Sequence, residues 1–332
     1  MTMRAIVFDR YGAAKDVLRL ETVAVPVPKA DEVLVRVHAA SVNAADLLMM
    51  HGRVLPVRLQ LGLRRPRLTG LGQDFSGVVE AVGESVETLR AGDAVFAELP
   101  ADHAGVSRAF ADYVCVPESQ LVRVPAGVSF ADAAATPVAG CTALFAVRDY
   151  GEVGQGDRVL VNGAGGGVGS QAVVLAKQFG ATVTAVCSAR KAGTARAAGA
   201  DHVIDYIERD FTAEDMLYDV IIDTVSSQPL SHYRRVLAPG GRYVWVGGAA
   251  EGAKGPITLL LKVGRMSLSD GQRSWRAVTR TSTPQDLATL ADWLGEGRFR
   301  PVLCQRFSLE RAAEAVQRLE QGLVCGKLVV EP

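Results

Sequence analysis

The sequence lacks an excess of charge of either sign. Lysine and arginine together number 36, aspartate and glutamate also number 36, and the formal net charge is zero. A nucleic-acid partner normally requires a basic surface, so the composition gives no indication of one. The chain also lacks an uninterrupted apolar run of the roughly 20 residues that span a membrane, and a charge at Arg4 interrupts its start. We therefore expect a soluble, cytoplasmic protein with no membrane or nucleic-acid partner.

Cysteine is scarce, and no two cysteines have the spacing of a metal or redox motif. The five cysteines are dispersed and odd in number: Cys115, Cys141, Cys187, Cys304 and Cys325. This pattern is typical of free, buried thiols in a reducing compartment.

What the sequence does contain is a glycine-rich segment between two stretches of different periodicity. Residues 162–169 follow a short apolar run at 158–161, which predicts a buried strand, and precede apolar residues at helical spacing. Strand, glycine turn and helix together favour pyrophosphate binding, because a turn without side chains admits the ligand and the helix N-terminus offers N–H groups. An ordinary structural turn is the alternative. The spacing Ala164-x-Gly166-x-x-Gly169 is a dinucleotide fingerprint with alanine in the first place. We predict cofactor contacts from Ala164, Gly166, Gly167, Val168 and Gly169.

The residues after this turn repeat the alternation of strand and helix. Apolar and β-branched runs predict further strands at 182–187, 202–205, 219–223 and 242–246. Helices are predicted between several of them, near 190–198 and 228–237. The pattern predicts a doubly wound parallel sheet of the Rossmann type.

The second of these strands lacks the acidic residue that an NAD site normally places at its end. No aspartate or glutamate occurs from Ser170 through Ala200. That place holds Ser188, Arg190 and Lys191, and a hydroxyl with two cations suits a 2′-phosphate. The alternative is that the two cations only cover the exposed start of a helix. The pattern predicts NADP(H) as the cofactor.

The residues before the glycine turn are rich in short strands. Alternating or apolar runs predict strands at 32–39, 78–83 and 93–96, which favours a separate antiparallel domain. Helices are predicted between 130 and 147. Near the end, apolar residues of 309–319 share one helical face, and 326–330 predicts a terminal strand that returns to the first domain.

Motifs along almost the whole chain resemble the medium-chain dehydrogenase/reductase superfamily, in its zinc-free quinone-oxidoreductase (zeta-crystallin-like) branch. They include Ser-Val-Asn-Ala-Ala-Asp at 41–46, Gly-Gln-Asp-Phe-Ser-Gly-Val-Val at 72–79, Ala-Gly-Asp-Ala-Val at 91–95, Ala-Gly-Cys-Thr-Ala at 139–143, the glycine turn, Gly-Ala-Asp-His-Val-Ile-Asp-Tyr at 199–206 and Gly-Lys-Leu at 326–328. The resemblance implies an α/β protein with two domains. A GroES-like, partly closed β-barrel catalytic domain would cover 1–127 and be completed by 265–332, and an NADP-binding Rossmann domain would cover 128–264. It also implies a homodimer, for which 256–261 is predicted as an edge strand.

Positions at which zinc-dependent members of the superfamily carry ligands hold other residues here. Asn43 stands in place of a cysteine, and Gly72-Gln73-Asp74 in place of Gly-His-Glu. Asparagine and glutamine are poor zinc ligands compared with thiolate and imidazole. Residues 1–127 also hold one cysteine, Cys115, instead of the four that form a structural zinc lobe. We therefore predict no bound metal.

The lack of a metal ligand set limits the chemistry. Hydride transfer to a plain ketone needs strong polarisation of the carbonyl, whereas quinones and α,β-unsaturated carbonyls are already electrophilic. We therefore predict an NADPH-dependent oxidoreductase acting on such small-molecule acceptors. The resemblance indicates Asn43 as the catalytic residue, since its amide can donate to a developing oxyanion; a turn-forming asparagine is the alternative. For Asp46, a helix-start carboxylate is predicted.

The resemblance implies further cofactor contacts. Thr142 would line the nicotinamide end, Tyr206 would flank the 2′-phosphate, and backbone groups of Val246, Gly247 and Gly248 would meet the carboxamide. Each of these residues could instead serve ordinary packing.

Other functions stay open at this point: a zinc-free alcohol or aldehyde dehydrogenase, an enoyl-thioester reductase, or a non-catalytic NADPH-binding protein. The loop at 51–56 lacks the tyrosine proton donor of some enoyl reductases, and His51, Arg53 or water could replace it. Arg53, Arg58, Arg64, Arg65 and Arg67 form either a solvated loop or a docking surface for a phosphate-bearing thioester. Lys327 ends a segment one residue short of a P-loop and precedes a strand, so a nucleoside-triphosphate site is not predicted.

Overall fold

The chain forms two compact units, each with its own main sheet. The computed structural model describes residues 1–53, 58–59, 61–67, 69–99, 108–247 and 255–332, with 255–257 described by their backbone alone. The first unit comprises Met1–Val138, Ser282–Gly297 and Leu303–Pro332, and the second comprises Ala139–Thr281 and Arg298–Val302. Among the described residues, no helix is both long and apolar enough to cross a membrane.

The first unit is built on mostly antiparallel strands. They are β1 (Thr2–Val7), β2 (Arg19–Ala24), β3 (Glu32–Ser41), β4 (Asp74–Val82), β5 (Ala94–Glu98), β6 (Tyr113–Pro117), β7 (Val122–Arg123), β14 (Leu303–Ser308) and β15 (Lys327–Glu331). Strands β1 and β2 form a ribbon, and the others form a sheet in the order β14-β15-β3-β4-β5-β7, with β6 also paired to β3.

Strand β3 is the centre of this sheet because it pairs with three neighbours. Its first part pairs with β6, its length pairs with β4, and its end pairs with the terminal strand β15. Val33 and Val35 of β3 lie in the main core with Phe75 of β4 and Val330 of β15. The pairing of Val330 with Ala40 confirms that the C-terminal strand returns to the first unit.

Short helices complete the first unit. They are α1 (Ala14–Val17), α2 (Ala44–His51), α3 (Phe130–Ala134), α9 (Pro284–Gly295) and α10 (Ala312–Glu320). The predicted apolar face near the C-terminus is correct, since Ala312, Ala315 and Val316 of α10 lie in the main core.

The second unit is a six-stranded parallel sheet. Its strands are β8 (Arg158–Asn162), β9 (Thr182–Cys187), β10 (His202–Asp205), β11 (Tyr218–Asp223), β12 (Leu237–Trp245) and β13 (Ser274–Ala277). Its helices are α5 (Gly167–Gln178), α6 (Ala192–Ala197), α7 (Leu230–Val236) and α8 (Gly255–Ser269), and α4 (Pro137–Leu144), which continues as a π-helical turn at Phe145–Tyr150, leads into it. The strand order is β10-β9-β8-β11-β12-β13.

This order creates a switch point in the second unit. The chain proceeds outward from β8 through β9 and β10, and then in the opposite direction from β11 through β12 and β13. Ligands of such sheets bind outside the carboxyl ends of the strands at the point of reversal. The glycine-rich segment follows β8, and Thr224 follows β11, so both border that point.

The units divide later in the chain than the boundaries predicted at 127/128 and 264/265. The first division falls after Val138 and the second after Thr281. Helix α3 belongs to the first unit because Ala131 and Ala134 pack with Ala39 of β3 and Val329 of β15. The second unit extends beyond 264 because β13 adds a sixth strand beside β12.

The edge strand predicted at 256–261 is wrong, since these residues lie in helix α8. Leu259, Val263 and Met266 pack against the core of the second unit, and their spacing of three and four residues is helical. Leucine also favours helices. The six residues 256–261 are too few to show the helical period of the apolar residues.

Candidate functional site

The glycine turn after β8 has the geometry of a phosphate cradle. Helix α5 begins at Gly167 with Gly166 as its N-cap, and its first intrahelical bond runs from Ser170 N to Gly166 O at 3.0 Å. The N–H groups of Gly167, Val168 and Gly169 therefore precede the regular ladder, at the positive end of the helix dipole. The predicted contacts Gly167, Val168 and Gly169 thus lie in the first turn of α5.

The glycines keep this turn close to its neighbours. A Cβ on Gly169 would lie 2.1 Å from the carbonyl oxygen of Gly163, so only glycine lets α5 approach the end of β8 so closely. A Cβ on Gly163, whose φ is +86°, would lie 2.2 Å from Oγ1 of Thr224. On Gly166 the nearest atom would be 3.4 Å away. The turn is therefore packed behind and open at Gly166, which fits a bound pyrophosphate.

Ala164 takes part in the glycine turn through its backbone. Its side chain is fully buried, and its N–H donates to the carbonyl of Val186 at 3.1 Å. The alanine in the first place of the fingerprint thus ties the turn to the end of β9.

The residues predicted to bind a 2′-phosphate gather at the ends of β9 and β10. Ser188 is buried, Arg190 is exposed, and Tyr206 is 56% exposed after β10. Lys191 runs along the glycine turn, because a Cβ on Gly165 would lie 2.5 Å from its Cβ. The structure therefore places one of the two cations directly beside the turn.

A carboxylate that the sequence argument did not consider lies in the same place. Asp205 ends β10, and its Oδ2 accepts from Ala189 N at 2.9 Å while its Oδ1 accepts from Ile207 N at 2.9 Å. Asp205 lies beyond residues 170–200 in the sequence, but its pairing with Cys187 brings this acid of the next strand to the end of β9. Its charge opposes a 2′-phosphate, whereas Arg190 and Lys191 favour one.

The other predicted cofactor contacts are Val246, Gly247, Gly248 and Thr142. Val246 N donates to Asp223 O at 2.9 Å, and Gly247 O accepts from Trp245 Nε1 at 2.9 Å and from Ser226 Oγ at 3.2 Å. Both residues follow β12 at the carboxyl edge. Thr142 is half-buried in α4. Gly248 lies outside the described residues.

A buried polar network at the carboxyl edge was missed in the sequence. Asp223 accepts from Asn162 Nδ2 at 2.9 Å and from the Tyr243 hydroxyl at 2.7 Å, and Asn162 also donates to the Tyr233 hydroxyl at 2.9 Å. Burial and the neighbouring Asp223 carboxylate raise the pKa of both tyrosines, so both remain protonated. The sequence does contain a signal for this network, because the apolar strands β8 and β11 each end at a polar residue, Asn162 and Asp223. The network fixes the two strand ends at the switch point.

In the first unit, Asn43 occupies a buried cluster of charged groups. It is the N-cap of α2, and its side chain is bound on both sides. Its Nδ2 donates to Asp74 Oδ2 at 2.9 Å and to Ser41 O at 3.3 Å, while its Oδ1 accepts from Lys327 Nζ at 2.6 Å. From the sequence, Lys327 belongs to the Gly-Lys-Leu motif at 326–328, and no role at Asn43 is predicted for it.

Asp74 and Lys327 form a buried ion pair. Lys327 Nζ lies 3.7 Å from Asp74 Oδ2, and the two side chains are 2% and 0% exposed. Asp74 also accepts from Ser41 Oγ at 2.8 Å and from Val138 N at 3.0 Å. Burial raises the pKa of Asp74 and lowers that of Lys327, although each partner opposes the shift of the other.

Two further carboxylates border this cluster. Asp46 is the helix-start carboxylate predicted, because it accepts from Asn43 N at 2.7 Å in the first turn of α2, and it also accepts from Gly72 N at 3.1 Å. Burial raises the pKa of Asp46 to about 6. Glu98 is paired with Asp74 across β4 and β5, and burial together with Asp74 raises its pKa to about 7.

The arginine-rich loop is only partly described, since residues 54–57 are outside the described ranges. Arg58 stacks over the Tyr11 ring at 4.7 Å, whereas Arg64, Arg65 and Arg67 are exposed. His51 lies 2.9 Å from the Glu320 carboxylate. Arg58 and His51 thus have partners within the fold.

Comparison with known proteins agrees with this architecture. Residues 29–126 match the model of the alcohol dehydrogenase GroES-like domain, and residues 198–330 match that of the zinc-binding dehydrogenases. The chain is 30% identical to the chloroplastic quinone-oxidoreductase of Triphysaria versicolor, over 99% of this chain and 98% of that protein. It is 32% identical to the 2-methylene-furan-3-one reductase of Solanum lycopersicum, over 99% of this chain and 79% of that protein.

A solved structure supports the same assignment. The quinone oxidoreductase of Coxiella burnetii aligns with a TM-score of 0.85 and 32% identity, covering 100% of both chains. The chain is therefore an α/β oxidoreductase with a GroES-like domain and a Rossmann-type sheet. It belongs to the medium-chain dehydrogenase/reductase superfamily, in the quinone-oxidoreductase branch.

The two groups that such a family implies, zinc and a nicotinamide dinucleotide, fit this chain differently. A zinc ion does not fit at Asn43, because the amide oxygen already accepts from an ammonium and the amide nitrogen faces Asp74. At the neighbouring position, Gln73 Oε1 is buried with no hydrogen-bond partner among the described residues, and an amide oxygen is a poor zinc ligand. A nicotinamide dinucleotide does fit, because the glycine turn offers N–H groups beside Gly166 with room for a ligand.

Proposed function

We propose that this protein is an NADPH-dependent reductase of quinones or activated α,β-unsaturated carbonyls. The observation that carries the choice of acceptor is the buried ammonium of Lys327 bound to Asn43, at the position where zinc-dependent relatives carry a ligand. The cluster provides no Lewis acid for a plain carbonyl, so it favours acceptors that delocalise charge themselves. The names of the quinone-oxidoreductase and furanone-reductase relatives are in line with this choice.

The cofactor would supply the hydride, and the second unit would bind it. The N–H groups of Gly167, Val168 and Gly169 would bind the pyrophosphate, and the backbone of Val246 and Gly247 would hold the carboxamide. Thr142 lines the nicotinamide end. The first unit, as the catalytic domain, would contribute Asn43.

The preference for NADPH is part of the proposal. Ser188, Arg190, Lys191 and Tyr206 gather at the ends of β9 and β10, where the Asp205 carboxylate also lies. A hydroxyl and two cations are groups that bind a 2′-phosphate. NAD(H) binding is the alternative, and Asp205 is the observation that supports it.

Asn43 Nδ2 donates two hydrogen bonds. The bond to Ser41 O, at 3.3 Å, is longer than the bond to Asp74, at 2.9 Å. Asn43 would exchange this weaker bond for one to the substrate oxygen as hydride arrives. The amide then stabilises the developing enolate or phenolate.

The test is oxidation of NADPH with a quinone, an enone, a 2-enoyl-CoA and a simple aldehyde, with NADH measured in parallel. Turnover of the quinone or enone supports the proposal. Turnover of the aldehyde, with simple alcohols reducing NADP⁺, would identify an alcohol dehydrogenase, and preference for the thioester would identify an enoyl-thioester reductase. NADPH binding without turnover would indicate a non-catalytic protein.

A homodimer is proposed on the resemblance, and a cytoplasmic location on the composition of the sequence. Mass measured by light scattering in solution would test the first, and cell fractionation would test the second. The chloroplastic relative shows that members of the branch also occur in an organelle.

A further inference from the structure

The ammonium group of Lys327 is buried among oxygen atoms. Its ammonium has three oxygen neighbours, namely Asn43 Oδ1 at 2.6 Å, Val42 O at 3.1 Å and Asp74 Oδ2 at 3.7 Å. A buried ion pair is costly because both charges lose their hydration, and apolar residues of similar volume often stabilise a protein at least as well. The pair therefore calls for a reason other than stability.

The two charges determine which way the Asn43 amide faces. The oxygen of the amide meets a group that can only donate, and the nitrogen meets a group that can only accept. A rotation of the amide by 180° would place its NH₂ against the ammonium and its oxygen against the carboxylate. Two oppositely charged neighbours thus allow a single orientation, which uncharged neighbours of the same shape would not enforce.

The main chain at Asn43 is fixed independently. The Asp46 carboxylate accepts from Asn43 N at 2.7 Å and from Gly72 N at 3.1 Å. The Asn43 N–H is therefore held without Lys327, which bonds to the Val42 carbonyl of the same peptide unit. The orientation of the Asn43 amide, in contrast, depends on Lys327. Orienting the Asn43 side chain is thus a role of Lys327 that differs from holding the main chain.

The pair also polarises the amide. An ammonium on the oxygen draws electron density from the nitrogen, which strengthens the remaining N–H as a donor. One N–H is held by Asp74, and the other makes the 3.3 Å bond to Ser41 O. The second N–H is thus the more easily released of the two.

We propose that Lys327 and Asp74 are positioning residues that orient and polarise the Asn43 amide toward the substrate oxygen. The proposal rests on the proposed function insofar as Asn43 contacts the substrate.

The test compares Lys327→Met with the electroneutral double variant Lys327→Met/Asp74→Asn, since the single variant leaves a buried carboxylate unpaired and can fail to fold. In the double variant, the melting temperature should recover to near that of the wild type. Its kcat should still be about 100-fold lower, as expected when a catalytic group is misplaced, with the acceptor KM and the NADPH Kd changed less than threefold. Recovery of kcat together with the melting temperature would overturn the proposal.

A cycle with Asn43→Ala tests whether the pair acts through Asn43. If it does, adding Lys327→Met/Asp74→Asn to Asn43→Ala should lower kcat by less than twofold further. A second loss of about 100-fold would show an action that does not pass through the amide.

A readout without turnover separates this inference from the proposed function. In ¹⁵N-labelled protein, the Asn43 side-chain NH₂ is identified as the signal lost in Asn43→Ala. Its two protons should exchange slowly with water in the wild type and rapidly in the double variant. If the wild type reduces no acceptor, the proposed function fails while this comparison still decides the orientation. Equal exchange in both proteins would overturn the orienting role.

Discussion

At the scale of single residues, the two candidate sites depend on charges that sequence position does not reveal. Asn43 was identified from its motif, but its partner Lys327 lies 284 residues away along the chain. Asp205 was missed for a similar reason, because strand pairing brings it to Ala189. The sequence predicts which residues form the candidate sites, but only the fold shows which charged groups lie beside them.

Glu98 should make stability depend on pH between about 4.5 and 7. Its folded-state pKa is raised to about 7 from 4.5, mainly by burial, so the folded state holds a proton that the unfolded state releases in this range. Stability should therefore fall as pH rises from 4.5 to 7, by on the order of 1–3 kcal/mol, and change no further above that range on this account. Glu98→Gln should remove its share of this loss and leave the share that Asp46, whose pKa burial raises to about 6, contributes at lower pH. Thermal melts at pH 5 and pH 8 would measure the difference.

A matched variant tests the same assignment. Ser282 donates to the Glu98 carboxylate and so favours its charged form. Ser282→Ala should therefore shift the loss of stability to higher pH. An unchanged pH profile in both variants would show that Glu98 does not control it.

The cofactor preference is also decided by single residues. Arg190→Ala and Lys191→Ala should each weaken NADPH binding by about tenfold or more, as the loss of a charge-assisted hydrogen bond implies, and should leave NADH binding unchanged. Arg196→Ala, an exposed cation on α6, is the control and should change neither. Asp205→Asn should strengthen NADPH binding. Cofactor titration by fluorescence measures all four, and equal affinity of the wild type for both cofactors would contradict the preference.

At the scale of elements, the nucleotide-binding sheet was predicted better than the first unit. Strands β8 to β11 are apolar, β-branched runs bounded by glycine or polar residues, so local pattern was sufficient. Strands β2 and β14 are largely exposed, and pattern alone did not show them. Helix α8 was mistaken for a strand because its helical period extends beyond the leucine run.

The close contact between α5 and the glycine turn gives an element-scale prediction. Gly169→Ala would place a methyl group 2.1 Å from Gly163 O, which is rigid backbone. The helix must shift, so we expect a loss of about 1–3 kcal/mol in the free energy of unfolding, together with weaker dinucleotide binding. Chemical denaturation and cofactor titration measure the two effects.

Gly193→Ala is the matched control for this substitution. It lies in α6, and no atom lies within 4 Å of its added Cβ. This change should stabilise the protein by about 0.4–1 kcal/mol and leave cofactor binding unchanged. Equal effects of the two substitutions would refute a special role for the contact at Gly169.

At the scale of the whole molecule, the two candidate sites belong to different units of one chain. The dinucleotide turn lies in the second unit, and the Asn43 cluster lies in the first. Val138, whose N–H binds Asp74, is the last residue before the chain enters the second unit, and Thr142 follows four residues later. The chain thus passes directly from the Asn43 cluster to a predicted cofactor contact.

The central claim is that reduction relies on an activated acceptor and not on a metal. The most direct test is the rate of NADPH oxidation with a cyclic enone and with the saturated ketone of the same ring, each with and without a strong chelator. We predict turnover of the enone that the chelator does not affect, and turnover of the saturated ketone at least about 100-fold slower, as expected without carbonyl polarisation. Comparable rates for the two acceptors, or loss of activity with the chelator, would contradict the account.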